Sequence, residues 1–163
     1  MLPESARREA SLTIRRLIYA DLPHVIAIER RSFPTPWSLA MFVLELSKAS
    51  GICLAALDGD RLVAYCVCSR YDTVWHLMNI AVDLEQRGRG IATMLLERLF
   101  ELTADDARRG YTLEVRVSND VAIRLYERAG FKPRGIRRGY YTDNREDALI
   151  MWRDPVVRVA AND

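Results

Sequence analysis

Apolar and polar residues follow two different periods along this chain. Residues 111–117 alternate strictly, and one face of this segment carries only apolar side chains: Tyr111, Leu113, Val115 and Val117. Such alternation is typical of a half-buried β-strand. From residue 91 to residue 102, apolar positions instead recur every three or four residues: Ile91, Met94, Leu95, Leu99 and Leu102. This second period predicts an amphipathic helix, so the chain combines strands and helices.

Turn and capping residues divide the rest of the chain into further elements. Strands are predicted at residues 12–18, 52–57, 62–69, 74–82, 111–117, 131–141 and 148–152. Helices are predicted from Asp21 to about Ser32, after the cap Ser38, from Ile91, and from Asn119 or Asp120 to Ala129. Asp58-Gly59-Asp60 lies between two apolar runs and indicates a hairpin, while Gly110 and Gly130 are placed as breakers. This order of elements predicts the α+β class.

The junction between the first two helices contains two prolines, Pro34 and Pro36, which break the helical pattern. Ser38 is placed to cap the helix that follows. Trp37, directly before this cap, has two possible roles. It either packs against the helix as a hydrophobic staple or lines a cleft for an acceptor substrate.

Composition limits the classes of function. The 163 residues are 50% apolar and 28% charged, with a net charge of +2. These values are ordinary for one soluble domain, predicted over residues 12–153 with flexible tails at 1–11 and 154–163. The small net charge gives no general attraction to nucleic acid or to an anionic membrane. No apolar run approaches the length of a membrane span or a signal peptide, so we expect a cytoplasmic protein.

The cysteines and histidines carry no metal-binding spacing. Cys53, Cys66 and Cys68 are expected to be reduced and buried, and no metal site is expected. His24 and His76 lie far apart in the sequence. A helix-surface role and a strand role are the expected ones.

A glycine-containing turn precedes the helix that begins at Ile91. Gly88 and Gly90 leave the backbone bare where a helix start offers unpaired N–H groups and a partial positive charge. Arg87 and Arg89 add cationic donors in the same turn. These features together favour a phosphate site, although a helix start without a ligand is the alternative. The P-loop lysine is absent, and Thr93 stands where the dinucleotide fingerprint needs its third glycine.

Two polar residues further on allow an ordinary and a catalytic interpretation. Glu114 lies on the polar face of the alternating strand and is either a solvated carboxylate, paired with Arg116, or a proton acceptor. Tyr126 has helical spacing from Ala122 and is either a packed core residue or a proton donor. The residues alone leave both alternatives open.

Four segments carry a resemblance to a known family. They are Asn79–Val82 with Arg87–Thr93; Leu113–Asn119; Ala122–Glu127 with Gly130 and Phe131; and Ile136–Tyr141 with Glu146–Ala148. The chain resembles the GNAT acetyltransferases, and within them the bacterial ribosomal-protein-alanine N-acetyltransferases, the RimI-like enzymes. This resemblance implies the GNAT fold, with a mixed, mostly antiparallel central sheet and about four flanking helices. Gly139 departs from the pattern, since relatives often carry a bulkier polar residue there.

The resemblance also implies roles for individual residues. Glu114 matches the general base of the family and Tyr126 its general acid. Ile80, Ala81 and Val82 match the strand whose backbone pairs with the pantetheine arm of coenzyme A. The diphosphate cradle corresponds to Arg87, Gly88, Arg89, Gly90, Ile91, Ala92 and Thr93. Asn119 matches a side-chain contact to coenzyme A.

The resemblance implies acetyl transfer from acetyl-CoA to the N-terminal α-amine of a protein. The expected acceptor is the N-terminal alanine of a small-subunit ribosomal protein, and the expected state is a monomer or weak dimer that binds neither nucleic acid nor membrane. Two alternatives remain: a GNAT enzyme that acetylates a small amine or lysine, and a non-catalytic sensor of acyl-CoA. A basic stretch near the acceptor side is interpreted as a solvated loop: Arg134, Arg137, Arg138 and Arg145.

Overall fold

The computed structural model describes Met1, Pro3, Glu4 and residues 11–155. The strands are β1 (Leu12–Arg16), β2 (Gly51–Asp58), β3 (Arg61–Tyr71), β4 (Val74–Val82), β5 (Tyr111–Arg116), β6 (Lys132–Arg137) and β7 (Ala148–Arg153). The α-helices between residues 11 and 155 are α1 (Leu22–Ser32), α2 (Leu39–Ser47), α3 (Ile91–Thr103) and α4 (Asp120–Arg128). Most of the two predicted flexible tails lies outside the described residues.

The seven strands belong to one sheet with the order β1-β2-β3-β4-β5-β7-β6. The β1–β2, β2–β3, β5–β7 and β6–β7 pairs are antiparallel, whereas β4 and β5 pair in parallel. A parallel pair needs a crossover connection, and α3 lies in this connection. The predicted α+β class with a mostly antiparallel sheet and four helices is therefore confirmed.

Two compact units can be distinguished among the described residues. The first contains the residues up to Ser69 together with Leu77–Leu99, and the second contains Arg70–His76 together with the residues from Phe100 onward. Strand β4 contributes residues to both. The single domain expected over residues 12–153 stays a prediction.

Several local predictions are confirmed in the first unit. The Ser38 hydroxyl accepts a hydrogen bond from the Met41 N–H at 3.3 Å and so caps α2. The Trp37 ring lies 5.2 Å from that of Phe42, which is the contact of a hydrophobic staple. Gly59 has φ +59° in the two-residue turn between β2 and β3, which confirms the hairpin.

Asp21 stands at the predicted N-cap position of α1, but its side chain does not cap the helix. Its carboxylate instead accepts hydrogen bonds from Arg15 at 2.7 and 2.9 Å and from the Ile18 N–H at 2.9 Å. The bonds from Arg15 lower the pKa of Asp21 against the opposing effect of burial. The bond to Ile18 begins a 3₁₀ turn at Tyr19–Asp21, so β1 ends at Arg16 rather than at the predicted Ile18.

The three cysteine thiols are free and buried, as predicted. Burial raises the pKa of Cys53 to about 12 and raises that of Cys68 well above its usual value. The Cys53 and Cys68 thiols therefore remain protonated at neutral pH and behave as small apolar side chains.

In the second unit, aromatic side chains pack around β5 and α4. Phe100 lies 4.8 Å from Tyr111 and 6.2 Å from Phe131, measured between ring centroids. Gly110 has φ +84°, and a Cβ at this position would lie 2.2 Å from the Arg153 carbonyl oxygen. Only glycine fits there, because both the backbone conformation and the space exclude a side chain.

The last two strands differ in length from their prediction. β6 ends at Arg137 and not at Tyr141. Gly139 takes φ +60°, and its N–H donates to Asp147 Oδ1 at 2.8 Å, so the chain turns within the segment that the sequence predicts as strand. The positive φ also explains why glycine occupies this position in place of a bulkier residue.

The first unit buries a carboxylate that its helical pattern does not reveal. Glu29 on α1 is 1% exposed. Its carboxylate accepts hydrogen bonds from the Tyr65 hydroxyl, from Asn79 Nδ2 at 2.9 Å and from the Trp37 N–H at 3.1 Å. Burial and the contact with Glu29 raise the pKa of Tyr65, so its hydroxyl remains a donor. Glu29 thus joins α1 to β3, β4 and the junction before α2.

Replacing Glu29 by alanine should lower the free energy of unfolding by about 3 kcal/mol, because three buried donors would lose their acceptor. Chemical denaturation of Glu29→Ala measures this loss. Glu85→Ala is the matched control, since the Glu85 side chain is 80% exposed, and it should leave stability nearly unchanged. Equal stability of the two variants would contradict an anchoring role for Glu29.

Candidate active site

The turn between β4 and α3 places two glycines directly before the helix. Gly88 has φ +81° and Gly90 has φ +75°, and a Cβ built on either residue meets no atom within 4 Å. The first helical hydrogen bond runs from the Met94 N–H to the Gly90 carbonyl at 3.1 Å. The free N–H groups of the first turn of α3 therefore lie next to two glycines that have no side chain and have open space around them. An anion such as a diphosphate can approach these N–H groups closely.

The two arginines of this turn make contacts within the protein. Arg87 donates from Nε to the Val82 carbonyl at 3.1 Å. Arg89 donates to Asp58 at 3.0 Å and to Gln86 at 2.5 Å. The hydrogen bonds from Ser11 and Arg89 lower the pKa of Asp58. Both arginines brace the turn, and the positions of Asp58 and Gln86 beside it are not evident from the sequence.

Asp83 fixes the end of β4 before this turn. Its N–H donates to the Val63 carbonyl at 2.8 Å, and its buried carboxylate accepts from Arg31 at 3.0 Å and from the Leu84 N–H at 3.0 Å. Arg61 lies 3.5 Å from the same carboxylate. The predicted cofactor residues Ile80, Ala81 and Val82 thus belong to a strand end that is held by charge-assisted hydrogen bonds.

Glu114 in the second unit is paired with a histidine. The parallel β4–β5 ladder places Trp75 opposite Tyr111 and His76 opposite Thr112. Across it, His76 Nε2 lies 2.6 Å from Glu114 Oε2, and Arg137 lies 3.7 Å from Glu114 Oε1. The interpretation of Glu114 as a solvated carboxylate paired with Arg116 is therefore wrong. Its partners are on other strands, at positions that the alternation of β5 cannot indicate.

These partners set the ionisation of Glu114. The hydrogen bond to His76 lowers the pKa of Glu114, burial opposes this, and the charges of His76 and Arg137 lower it further. The net pKa lies below the ordinary value, so the carboxylate is ionised at neutral pH. Of the two histidines, His76 was expected only to have a strand role, and its contact with Glu114 was missed.

Arg116 instead holds the loop between β6 and β7. It donates to Asp143 at 3.0 Å and to Glu146 at 3.4 Å, and its guanidinium carbon lies 4.0 Å from the Tyr141 ring centroid. Burial raises the pKa of Tyr141 to about 12 despite the opposing charge of Arg116. Of the predicted basic stretch, Arg137 contacts Glu114 and Arg134 lies over the Trp152 ring at 5.5 Å, so these two are not merely solvated.

Asn119 and Tyr126 lie on the helix after β5. Asn119 Oδ1 accepts from the Ala122 N–H at 3.2 Å and caps α4, as predicted for one of its two candidate caps. Tyr126 is 7% exposed, and its ring packs edge-on against Phe131 at 5.9 Å. The structure places Tyr126 on the inner face of α4, and its role as a proton donor stays a prediction.

Two kinds of feature are absent from the described residues. Within them, no group of three or more histidine, cysteine, aspartate or glutamate side chains is arranged to hold a metal ion. None of the helices that the structure describes has the length and apolar character to cross a membrane.

Comparison with known proteins gives consistent matches. The Acetyltransferase (GNAT) family profile matches residues 22–131. The ribosomal protein bS18-alanine N-acetyltransferase of Escherichia coli K12 is 36% identical over 141 residues, covering 85% of this chain and 95% of the relative. The N-alpha-acetyltransferase RimI of Mycobacterium tuberculosis is 37% identical over 150 residues, covering 88% of this chain and 92% of the relative.

A solved structure agrees with these sequence matches. The crystal structure of the ribosomal-protein-S18-alanine N-acetyltransferase from Escherichia coli superposes with a TM-score of 0.83 at 33% identity, covering 93% of this chain and 99% of that chain. The resemblance inferred from four short segments is thereby confirmed over nearly the whole chain. The chain is an acetyltransferase and belongs to the GNAT family.

Proposed function

We propose that this protein transfers the acetyl group of acetyl-CoA to the N-terminal α-amine of a protein, with the alanine of a small-subunit ribosomal protein as acceptor. The observation that carries this proposal is the 36% identity over 95% of the Escherichia coli relative named for that activity. GNAT acetyltransferases use acetyl-CoA as the acetyl donor, and the relatives cover too much of the chain for the likeness to be limited to a cofactor motif.

The glycine turn is assigned to the diphosphate of acetyl-CoA. Gly88 and Gly90 offer open backbone, and the N–H groups of Ile91, Ala92 and Thr93 begin α3 there. The β4–β5 ladder ends at His76, and the β4 residues that follow it do not take part in that ladder. We assign the backbone of Ile80–Val82 to the pantetheine arm, and an N–H near Val82 to the oxygen that becomes negative during transfer.

Acetyl transfer to an amine requires two proton movements. When bound, acetyl-CoA supplies a thioester that an unprotonated amine can attack directly. Glu114 is assigned to removal of the amine proton, directly or through another group, and it is ionised for this role because its pKa is lowered. Tyr126 is assigned to protonation of the departing thiolate. Direct transfer of this kind needs no cysteine or serine nucleophile.

An α-amine suits this arrangement better than a lysine side chain. Their reference pKa values are about 8 and about 10.4, so near pH 7 the neutral fraction of an α-amine is about 200-fold larger than that of a lysine. An ionised carboxylate is a weak base and benefits from an acceptor that loses its proton easily. This difference favours the α-amine acceptor over the lysine alternative.

Acceptor identity can be tested by mass spectrometry with acetyl-CoA and a peptide that begins with alanine and contains one lysine. We expect one acetyl group, located at the N-terminus by fragmentation. The same peptide with a blocked N-terminus should gain none. Acetylation of the lysine in both peptides, or of a polyamine without reaction of either peptide, would favour the other GNAT activities.

Removing only the hydroxyl of Tyr126 should slow acetyl transfer. For Tyr126→Phe we expect kcat to fall about 10²-fold or more, because the thiolate loses its proton donor, while the Kd for acetyl-CoA changes little. Steady-state kinetics and calorimetry measure the two quantities. Tyr19→Phe, an exposed tyrosine in the other unit, is the control. Unchanged turnover of Tyr126→Phe would remove this residue as the acid.

A side chain at Gly90 should weaken acetyl-CoA binding because it occupies the open backbone of the turn. Gly90→Val and Gly59→Val carry similar backbone strain, since both glycines have positive φ and open space around Cβ. Calorimetry should show at least a tenfold higher Kd for Gly90→Val and little change for Gly59→Val. Equal affinities would mean that the phosphates bind elsewhere.

A further inference from the structure

His76 and Glu114 form a pair that the assignment of a single base does not explain. Their nearest atoms, His76 Nε2 and Glu114 Oε2, are 2.6 Å apart. We propose that His76 is the group that takes the proton from the acceptor amine, and that Glu114 acts through it by fixing its tautomer and orientation. This inference rests on the proposed acetyl transfer to an amine and names the residue that first receives the proton.

The tautomer follows from the ionisation of Glu114. An ionised carboxylate can only accept hydrogen bonds, so the short contact requires a hydrogen on His76 Nε2. A neutral imidazole with hydrogen on Nε2 carries its lone pair on Nδ1. The carboxylate thus directs the basic nitrogen of His76 away from itself, leaving Nδ1 as the atom able to receive a proton.

The exposed fractions of the two side chains also favour His76 as the group that meets the acceptor amine. The His76 side chain is 24% exposed, whereas that of Glu114 is 11% exposed. Glu114 also lies between two partners: His76 makes the short contact to one oxygen, and Arg137 forms an ion pair at 3.7 Å from the other. The imidazole is therefore the more accessible member of the pair, and the Glu114 oxygen nearest to it is already engaged.

The charges around Glu114 make its carboxylate the less suitable base of the pair. His76 and Arg137 lower the pKa of Glu114, which makes the carboxylate a weaker base than an isolated glutamate. Histidine is the side chain that most often serves as a general base in enzymes. The other groups near the pair are the Tyr71 ring, 6.4 Å from the His76 ring, and Tyr141, whose phenol interacts with the charge of Glu114.

The proton balance is complete with the groups already assigned. The acceptor ammonium loses a proton to His76 Nδ1, and the resulting imidazolium is stabilised by the Glu114 carboxylate. The amine nitrogen forms a bond to the acetyl carbon, and the carbon–sulfur bond breaks. The thiolate takes the phenolic proton of Tyr126, and the second proton of the attacking nitrogen restores the phenol. The imidazolium finally releases its proton to solvent.

The test compares two variants, His76→Gln and His24→Gln. His24 is the other histidine of the chain and is exposed on α1, so His24→Gln is the matched control. With an alanine-starting peptide at saturation, His76→Gln should lower kcat about 10²-fold or more, and His24→Gln should not. The wild-type kcat should fall on the acid side as the base becomes protonated, and His76→Gln should lose this limb. A retained limb, or kcat within threefold of wild type, would overturn the inference.

A second measurement does not depend on how the His76→Gln variant folds. In the His24→Gln protein only one histidine remains, so nitrogen NMR reports the tautomer of His76 directly. We expect hydrogen on Nε2 and a lone pair on Nδ1 at pH 8. The opposite tautomer, or an imidazolium persisting at pH 8, would overturn the inference. An inactive wild-type protein would overturn the proposed function and this inference with it, whereas an active His76→Gln variant would overturn this inference alone.

Discussion

The buried carboxylate of Glu29 is the constraint on which the first unit depends. A carboxylate removed from water costs several kcal/mol unless its oxygens are satisfied. Here the donors come from three separate segments: the Tyr65 hydroxyl on β3, the Asn79 amide on β4 and the backbone of Trp37 before α2. Because all three donors bind the same carboxylate, Glu29 fixes the positions of α1, β3, β4 and the segment before α2 together. Asn79 directly precedes Ile80–Val82, so this anchor also positions the strand assigned to the cofactor.

Glu114 meets the same physical demand with different partners, and the difference accounts for its different role. The donors to Glu29 are a phenol, an amide and a backbone N–H, which keep their hydrogens at neutral pH. Glu114 is instead held by an imidazole and a guanidinium, and of these only the imidazole has a second ring nitrogen that can accept a proton. One carboxylate can therefore only hold elements together, whereas the other belongs to a pair that can move a proton.

The sequence predicts most elements of the fold because period and capping are local properties. The hairpin at Gly59, the cap at Ser38 and the helix start after Gly90 all depend on neighbouring residues, and all are found. Errors occur where a distant partner competes. Asp21 binds Arg15 instead of capping α1, and Asp147 binds the Gly139 N–H and helps to end β6 early. The pairing of His76 with Glu114 was missed for the same reason. It depends on the parallel register of β4 and β5, which the sequence of one strand does not determine.

In the turn before α3, the structure gives the arginines and the glycines different roles. In the sequence, Arg87 and Arg89 add cationic donors to the bare backbone at the start of the helix. In the structure, Arg89 is neutralised by Asp58 and Arg87 is directed to the Val82 carbonyl, so both serve first to shape the turn. The attraction for an anion then falls on the N–H groups at the start of α3, which are fixed in place and need no reorganisation. This explains why the bare backbone of Gly88 and Gly90, rather than the neighbouring charge, is the feature that the proposed cofactor site requires.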